Sequence, residues 1–307
     1  MRLKFTISLV AIFLGRIVQA QDYVDLVKLN FNTTSQNRFE NSSVTTRIRE
    51  MDVEVTLPVR IDSKTNFISG FIYENINSRL TTVDAEETFG SAALKLGINR
   101  THSEKWSGTY MLLPKIASNF KGVTNKDFQL GVVALLKYIK NERSAFKLGM
   151  YYNTELFGPW VVPLVGLYHQ SANKKFEANL MLPLLADVNY LITGKVAIGL
   201  NFSGQVRTYH LKARVDGRDV YVARSVNELF AYVKVPITKS IILQIRGGRS
   251  IGRSYRLYDD QRNVALGIPL VYFGDNRQQL NDDFKDGWVY QGILLYRFYT
   301  VKKAGVS

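Results

Sequence analysis

Residues Asp52 to Ile61 read D-V-E-V-T-L-P-V-R-I, an unbroken alternation of polar and apolar side chains. In a strand, successive side chains point to opposite faces, so this rhythm makes one face greasy and the other polar. The same rhythm returns along most of the chain. A sheet built this way needs an apolar partner on one side only, and for so many amphipathic strands lipid is the partner of choice. The pattern predicts an all-β fold: a transmembrane antiparallel up-and-down β-barrel.

The bulk properties agree. Arg2 and Lys4 open the chain, Phe5 to Gly15 is apolar, and Val18-Gln19-Ala20 offers small residues at a cleavage position. That is the pattern of a signal peptide over 1–20, leaving residues 21–307 as one domain exported to the cell outer membrane. No later stretch reaches the roughly 18 apolar residues of a membrane helix. The chain has no cysteine, which excludes a lipoprotein anchor, disulfides and Cys-ligated metal centres. Its formal charge is +14, and removing Arg2, Lys4 and Arg16 leaves +11. Nucleic acid is a poor partner for an exported chain without a basic tract. Outer-membrane lipid, lipopolysaccharide, the outer-membrane assembly machinery and a small anionic solute remain as expected partners, and no cofactor is expected.

Alternating runs follow one another without a Pro/Gly/Ser-rich linker. Met51–Ile61 and 66–75 come first, and Ala92, Leu94, Leu96 and Ile98 then share a face. So do Phe128, Leu130, Val132, Ala134, Leu136 and Tyr138, and next Phe146, Leu148, Met150 and Tyr152. Later runs include Phe176 to Leu184, Val196 to Val206 and Ile241 to Ile245. Short polar turns at Asp62-Ser63-Lys64, Thr193-Gly194-Lys195 and Thr238-Lys239 alternate with longer stretches at 32–46, 78–88 and 259–286. Pro58 and Pro236 belong at strand ends beside short turns, because proline cannot donate to a ladder. About 12 strands are expected. The least defined regions are the run around Val27 to Phe31 and 175–192, which reads as one strand or two. The final run, G-W-V-Y-Q-G-I-L-L-Y-R-F from Gly287, puts Trp288, Tyr290, Leu294, Tyr296 and Phe298 on one face, as a membrane-facing aromatic strand should.

The late runs L-P-L-L-A-D-V-N-Y-L-I-T, G-L-N-F-S-G and R-S-Y-R-L-Y-D-D, closing on L-L-Y-R-F, resemble a family of outer-membrane barrels from Bacteroidota catalogued as a domain of unknown function. The resemblance implies a barrel in a Gram-negative outer membrane. It carries over no catalytic residue.

Few residues offer chemistry. Tyr168-His169-Gln170-Ser171 has the His-x-Ser spacing of the outer-membrane lipid A deacylase, with Glu177 further on, so Ser171 and His169 form a candidate base–nucleophile pair. The plainer reading is polar residues at a strand end, and no enzyme is expected. Arg246, Arg249, Arg253 and Arg256, with Arg262, form the densest basic stretch. Arg246 has the parity of a lumen residue, and several arginines there would favour anions. The alternative is a lumen network in which they pair with Asp52 and Glu54. Asp282, Asp283 and Asp286 read as a solvated acidic loop, since they lack the spacing of a calcium site. Trp106, Trp160 and Tyr151-Tyr152 read as girdle anchors. The expected role is passive transport or structure. The alternatives are a soluble secreted β-sheet binding protein of the envelope and a lipid hydrolase using Ser171 and His169.

Overall fold

The computed structural model describes residues 23–299, apart from 194, 216–217 and 262. The expected signal peptide and Arg262 therefore lie outside the described residues. Fourteen strands close into one antiparallel ring: β1 Tyr23–Thr34, β2 Arg49–Arg60, β3 Thr65–Arg79, β4 Glu86–Thr101, β5 Trp106–Ser118, β6 Phe128–Asn141 and β7 Ser144–Glu155. The second half is β8 Gly158–Gln170, β9 Phe176–Leu182, β10 Leu185–Leu191, β11 Ala197–Val215, β12 Arg218–Pro236, β13 Ile241–Ser250 and β14 Trp288–Tyr299. Each strand pairs with its neighbour in this series, and β14 returns to β1 from Tyr23↔Tyr299 to Thr34↔Val289. Toward the short-turn end every strand is paired on both sides, which is what a membrane requires of a sheet. The sheet closes on itself rather than splitting into two packed layers.

The alternation does what it predicts. On β2, Glu50, Asp52 and Glu54 face the lumen, while Met51, Leu57 and Val59 are exposed outside. Leu94, Leu112, Leu148, Val165, Leu200, Leu229 and Ile245 continue that outer band. Trp106, Tyr110, Phe146, Tyr190, Tyr296 and Phe298 ring its short-turn end, and Trp288, Phe31 and Phe128 the other. Turns at the first end are tight. In the turn after β2, Asp62 accepts the amides of Lys64 (2.6 Å) and Thr65 (2.8 Å). The Lys64 amide is the main reason its carboxyl is held below the usual range.

The strand number exceeds the expected 12, for two physical reasons. Residues 175–192 form two strands, folded back where Leu184 donates to Met181 O at 2.9 Å. On β8 the alternation is hidden, because Trp160, Val162 and Leu164 are buried inside while Val161 and Val165 face outward. Apolar on both faces, that run has no period to read.

At the long-loop end the cylinder changes. The β9–β10 hairpin is short, with seven residues in each strand. β8 therefore pairs with β9 only from Val165 to Gln170, and β11 with β10 only from Ala197 to Ser203. The resulting notch in the wall is filled by Phe157, Trp160, Val162, Tyr221, Tyr258 and Val264, with Tyr272 against them. Above Ser203, β11 and β12 keep pairing with each other and fold across the mouth: Asn119 at the far wall donates to His210 O at 3.0 Å. A third strand joins them. β13 pairs with β12 up to Ser250↔Glu228, and Ser254–Asp259 resumes at Ser254↔Ser225, with one residue more than its partner. This bulge reverses side-chain parity, turning Tyr255 and Leu257 to the buried side. Asp286 holds the bulge by accepting Ser250 Oγ (2.7 Å), Gly252 N (2.7 Å) and Arg253 N (3.0 Å).

Candidate functional site

Beneath this cap the lumen holds a cavity of about 330 Å³. It runs from Tyr23, Lys234 and Arg297 near the short turns to Glu50, Arg224 and Val226 under the cap. Eight carboxylates line it (Asp25, Glu50, Asp52, Glu54, Glu74, Glu177, Asp187, Glu228) against six cations (Lys28, Arg207, Arg224, Lys234, Arg246, Arg297). The chain's excess positive charge therefore does not sit in this cavity.

Two carboxylates from the wall grip two arginines from the cap. Glu50 on β2 accepts Arg224 Nη2 at 2.7 and 2.9 Å, and the Tyr255 hydroxyl at 2.7 Å. Glu74 on β3 accepts Arg207 Nη1 at 2.8 Å, Ser91 Oγ at 3.2 Å and the Tyr209 hydroxyl. On the opposite wall, Glu155 of β7 accepts both the amide (2.7 Å) and the hydroxyl (2.6 Å) of Thr208. Gln129 of β6 donates to Thr208 O at 3.1 Å. Apart from the partly exposed Arg207 these groups are buried, so each charge needs its partner. Above the network, Phe39, Ile48, Ile76, Phe89, Tyr209, Val222, Leu257 and Phe284 form an apolar seal drawn from wall, hairpin and long loops.

Lower in the cavity, Asp25 pairs with Arg297 (2.6 Å) and Glu54 with Lys95 (2.7 Å). Asp52 accepts from Asn30 (2.6 Å) and Asp187 from Tyr232 (2.8 Å). Glu177 accepts from Tyr23 (3.1 Å) and Tyr168 (3.4 Å). Among the described residues Lys28, Lys234 and Arg246 make no salt bridge. The cavity thus presents three cations with no carboxylate directly against them.

The four arginines singled out from sequence do not come together. Arg246 faces the lumen as its parity requires, but it donates to Asn201 Oδ1 (2.8 Å) and lies over Tyr232 (5.4 Å) rather than pairing with Asp52 or Glu54. Arg249 points outward and sits 6.0 Å from the Trp288 ring, at the rim of the apolar band. Arg253 is buried under the cap beside Glu228 (3.5 Å), because the bulge changes the parity between it and Arg246. Arg256 is on the surface, bidentate to Asp283. Asp283 and Asp286 are thus tied into loop structure. The His169–Ser171 pair is not formed: His169 Nδ1 lies 2.9 Å from Ser144 Oγ across the β7–β8 ladder, and Ser171 Oγ bonds within its own turn to Asn173. Trp106 is a girdle residue, 5.1 Å from Tyr138, whereas Trp160 is not, being stacked on Tyr272 inside the notch. Sequence reasoning missed Arg207, Arg224, Glu74 and Glu155. Arg207 shares the parity of Asn201, Ser203 and Gln205, which was the available signal.

A closed antiparallel ring of even strand number, apolar outside and charged within, is an outer-membrane β-barrel of porin-like architecture. The chain belongs to the family described as a domain of unknown function (DUF6268), which matches residues 18–265. That match carries the family but not a Bacteroidota source. No curated protein matches the chain. Similar solved structures include an outer-membrane channel from Pseudomonas putida F1, 8% identical with a TM-score of 0.46 over 89% of this chain and 94% of that one. Others are the TodX monoaromatic hydrocarbon channel (8% identity, TM-score 0.38, 90% and 91% covered) and the NanC porin (9%, 0.34, 87% and 98%).

Proposed function

We propose that the protein is a capped channel of a Gram-negative outer membrane, non-enzymatic, passing small charged solutes when the β11–β12 hairpin leaves the mouth. The charged cavity that reaches from the short-turn end to the underside of the cap carries this reading. A purely structural barrel needs no such cavity, and the closing element, having lost its β10 neighbour, is fastened to β2, β3 and β7 by side-chain pairs. Lys28, Lys234 and Arg246 are the seats for anionic groups of the solute. The barrel's other contacts are lipid and lipopolysaccharide around the apolar band, and the assembly machinery reading the aromatic final strand.

Planar-bilayer recording tests it. Wild-type protein should show brief, infrequent openings, and loosening the cap by Glu50→Ala should lengthen them. Equal silence from both proteins, with the barrel intact by heat-modifiability on SDS gels, would overturn the channel reading.

A further inference from the structure

His210 lies near the tip of the β11–β12 hairpin and is 1% exposed. Its Nδ1 is 2.7 Å from Oδ1 of Asp127, itself fully buried at the end of the Asn125–Asp127 turn. A carboxylate there holds Nδ1–H, so that in the neutral ring Nε2 is the nitrogen that presents a lone pair. Yet Nε2 has no hydrogen-bond partner and points at Asp219 Oδ2, 3.5 Å away. A lone pair held against a carboxylate is a repulsive pairing unless a cation lies between them. Ligand atoms of His210, Asp219 and Asp260 all fall within 4.8 Å of one another. Among the described residues, the ammonium of Lys126 brings positive charge there, 3.7 Å from Asp219 Oδ2 and bonded to Asp260. Lys126 is otherwise solvent-facing, and the Asp260 carboxylate raises its pKa.

We propose that His210 Nε2, Asp219 and Asp260 form a binding site for one divalent transition-metal ion, with Asp127 orienting the imidazole and Lys126 as the competing cation. One imidazole nitrogen with two carboxylates selects zinc or manganese over calcium or magnesium, whose preferred ligands are all oxygen. The three ligands come from different segments: β11, β12 and the long loop before β14. Asp127 adds a fourth, the loop between β5 and β6. A bound ion therefore adds a side-chain tie between the cap and two segments that it otherwise meets through the backbone, at Val220↔Asp259 and from Asn119 N to His210 O. This site stands independently of the channel reading.

The test uses the full chain in detergent, stripped with chelator, and titrated with zinc chloride or manganese chloride alone by calorimetry with metal analysis. The expected result is one ion per chain, and tighter binding by Lys126→Ala, which removes the competing ammonium. Asp127→Asn should weaken binding by about 10- to 100-fold, as loss of an orienting carboxylate does. Asp260→Asn should weaken it further. Heat-modifiability of each variant controls for barrel integrity, and Lys126→Ala is informative even if the others loosen the cap, because it predicts a gain. If His210 is instead an imidazolium paired with two carboxylates, neither wild type nor Lys126→Ala binds metal, and the proposal falls. Binding insensitive to His210→Ala would overturn it equally.

Discussion

The lower and upper halves of the β11–β12 hairpin share one continuous ladder but live in different surroundings. Below Ser203, Leu200 (55%) and Leu229 (48%) are exposed toward lipid while Asn201 and Phe230 point inward. Above it, Thr208, Tyr209, His210 and Leu211, facing Val220, Tyr221 and Val222, are all 2% exposed or less. The lower half is held by hydrogen bonds to β10 and β13 and by the apolar medium outside. The upper half has lost β10, keeps a ladder to Ser254–Asp259, and is fastened to the opposite walls by their carboxylates. One strand pair thus serves as wall and as lid, and what distinguishes the two is the source of their stabilisation. The wall depends on ladders to both neighbours, and the lid's hold on the opposite walls on a few charged pairs.

Glu50→Ala should have the largest effect. It leaves Arg224 buried with Glu74 3.8 Å away as its remaining carboxylate, and removing one partner of a buried ion pair costs about 3–5 kcal/mol. Amide exchange should accelerate in the upper hairpin and not in the lower half, and SDS resistance of the unheated barrel should persist. Uniform acceleration along both halves would dissolve the distinction between wall and lid. Leu200→Arg is the reciprocal experiment. A lipid-facing cation costs about 2–4 kcal/mol near the bilayer centre and less toward the interfaces. It should lower barrel stability in liposomes measured by urea titration while leaving the open probability of the channel unchanged.

Thr208→Val comes next. It removes the hydroxyl from Glu155 but keeps the backbone amide donor, so the loss is of the order of 1–3 kcal/mol for a hydrogen bond to a buried charge. Its openings should be intermediate between wild type and Glu50→Ala. An effect larger than that of Glu50→Ala would move the principal latch from the β2–β3 wall to β7.

The wall was legible because its side chains answer to two media with period two, and Asp52–Ile61 or Phe128–Tyr138 show that directly. The lid was not. Arg207-Thr208-Tyr209-His210 reads as a polar strand end, and its burial depends on Glu74, Asp127 and Glu155, more than 50 residues away in sequence. Parity also fails wherever a bulge intervenes. Arg253 and Arg246 could not be placed correctly together without knowing that Ser250 and Ser254 straddle an extra residue. The basic run was real as sequence and dispersed as structure for that reason.

Acid should expose the same difference most gently, through Asp286. Burial opposes its ionisation, but the Arg253 amide, the Ser250 hydroxyl and the Gly252 amide outweigh that and hold the carboxyl below its usual range. A carboxyl depressed in the folded state contributes stability that is present above its unfolded pKa, about 3.9, and lost as pH falls through the folded value. The bulge that carries Ser254–Asp259 onto the lid should therefore loosen only in strong acid, with the lower wall unaffected. Asp286→Asn should behave at neutral pH as wild type does in acid, since it keeps the acceptor oxygen but not the charge. Amide exchange over Ser254–Asp259, compared with the lower wall at each pH, reads this out. Equal protection of wild type and Asp286→Asn across the range would show that the bulge is held by its ladder instead, and would extend the logic of the wall up into the lid.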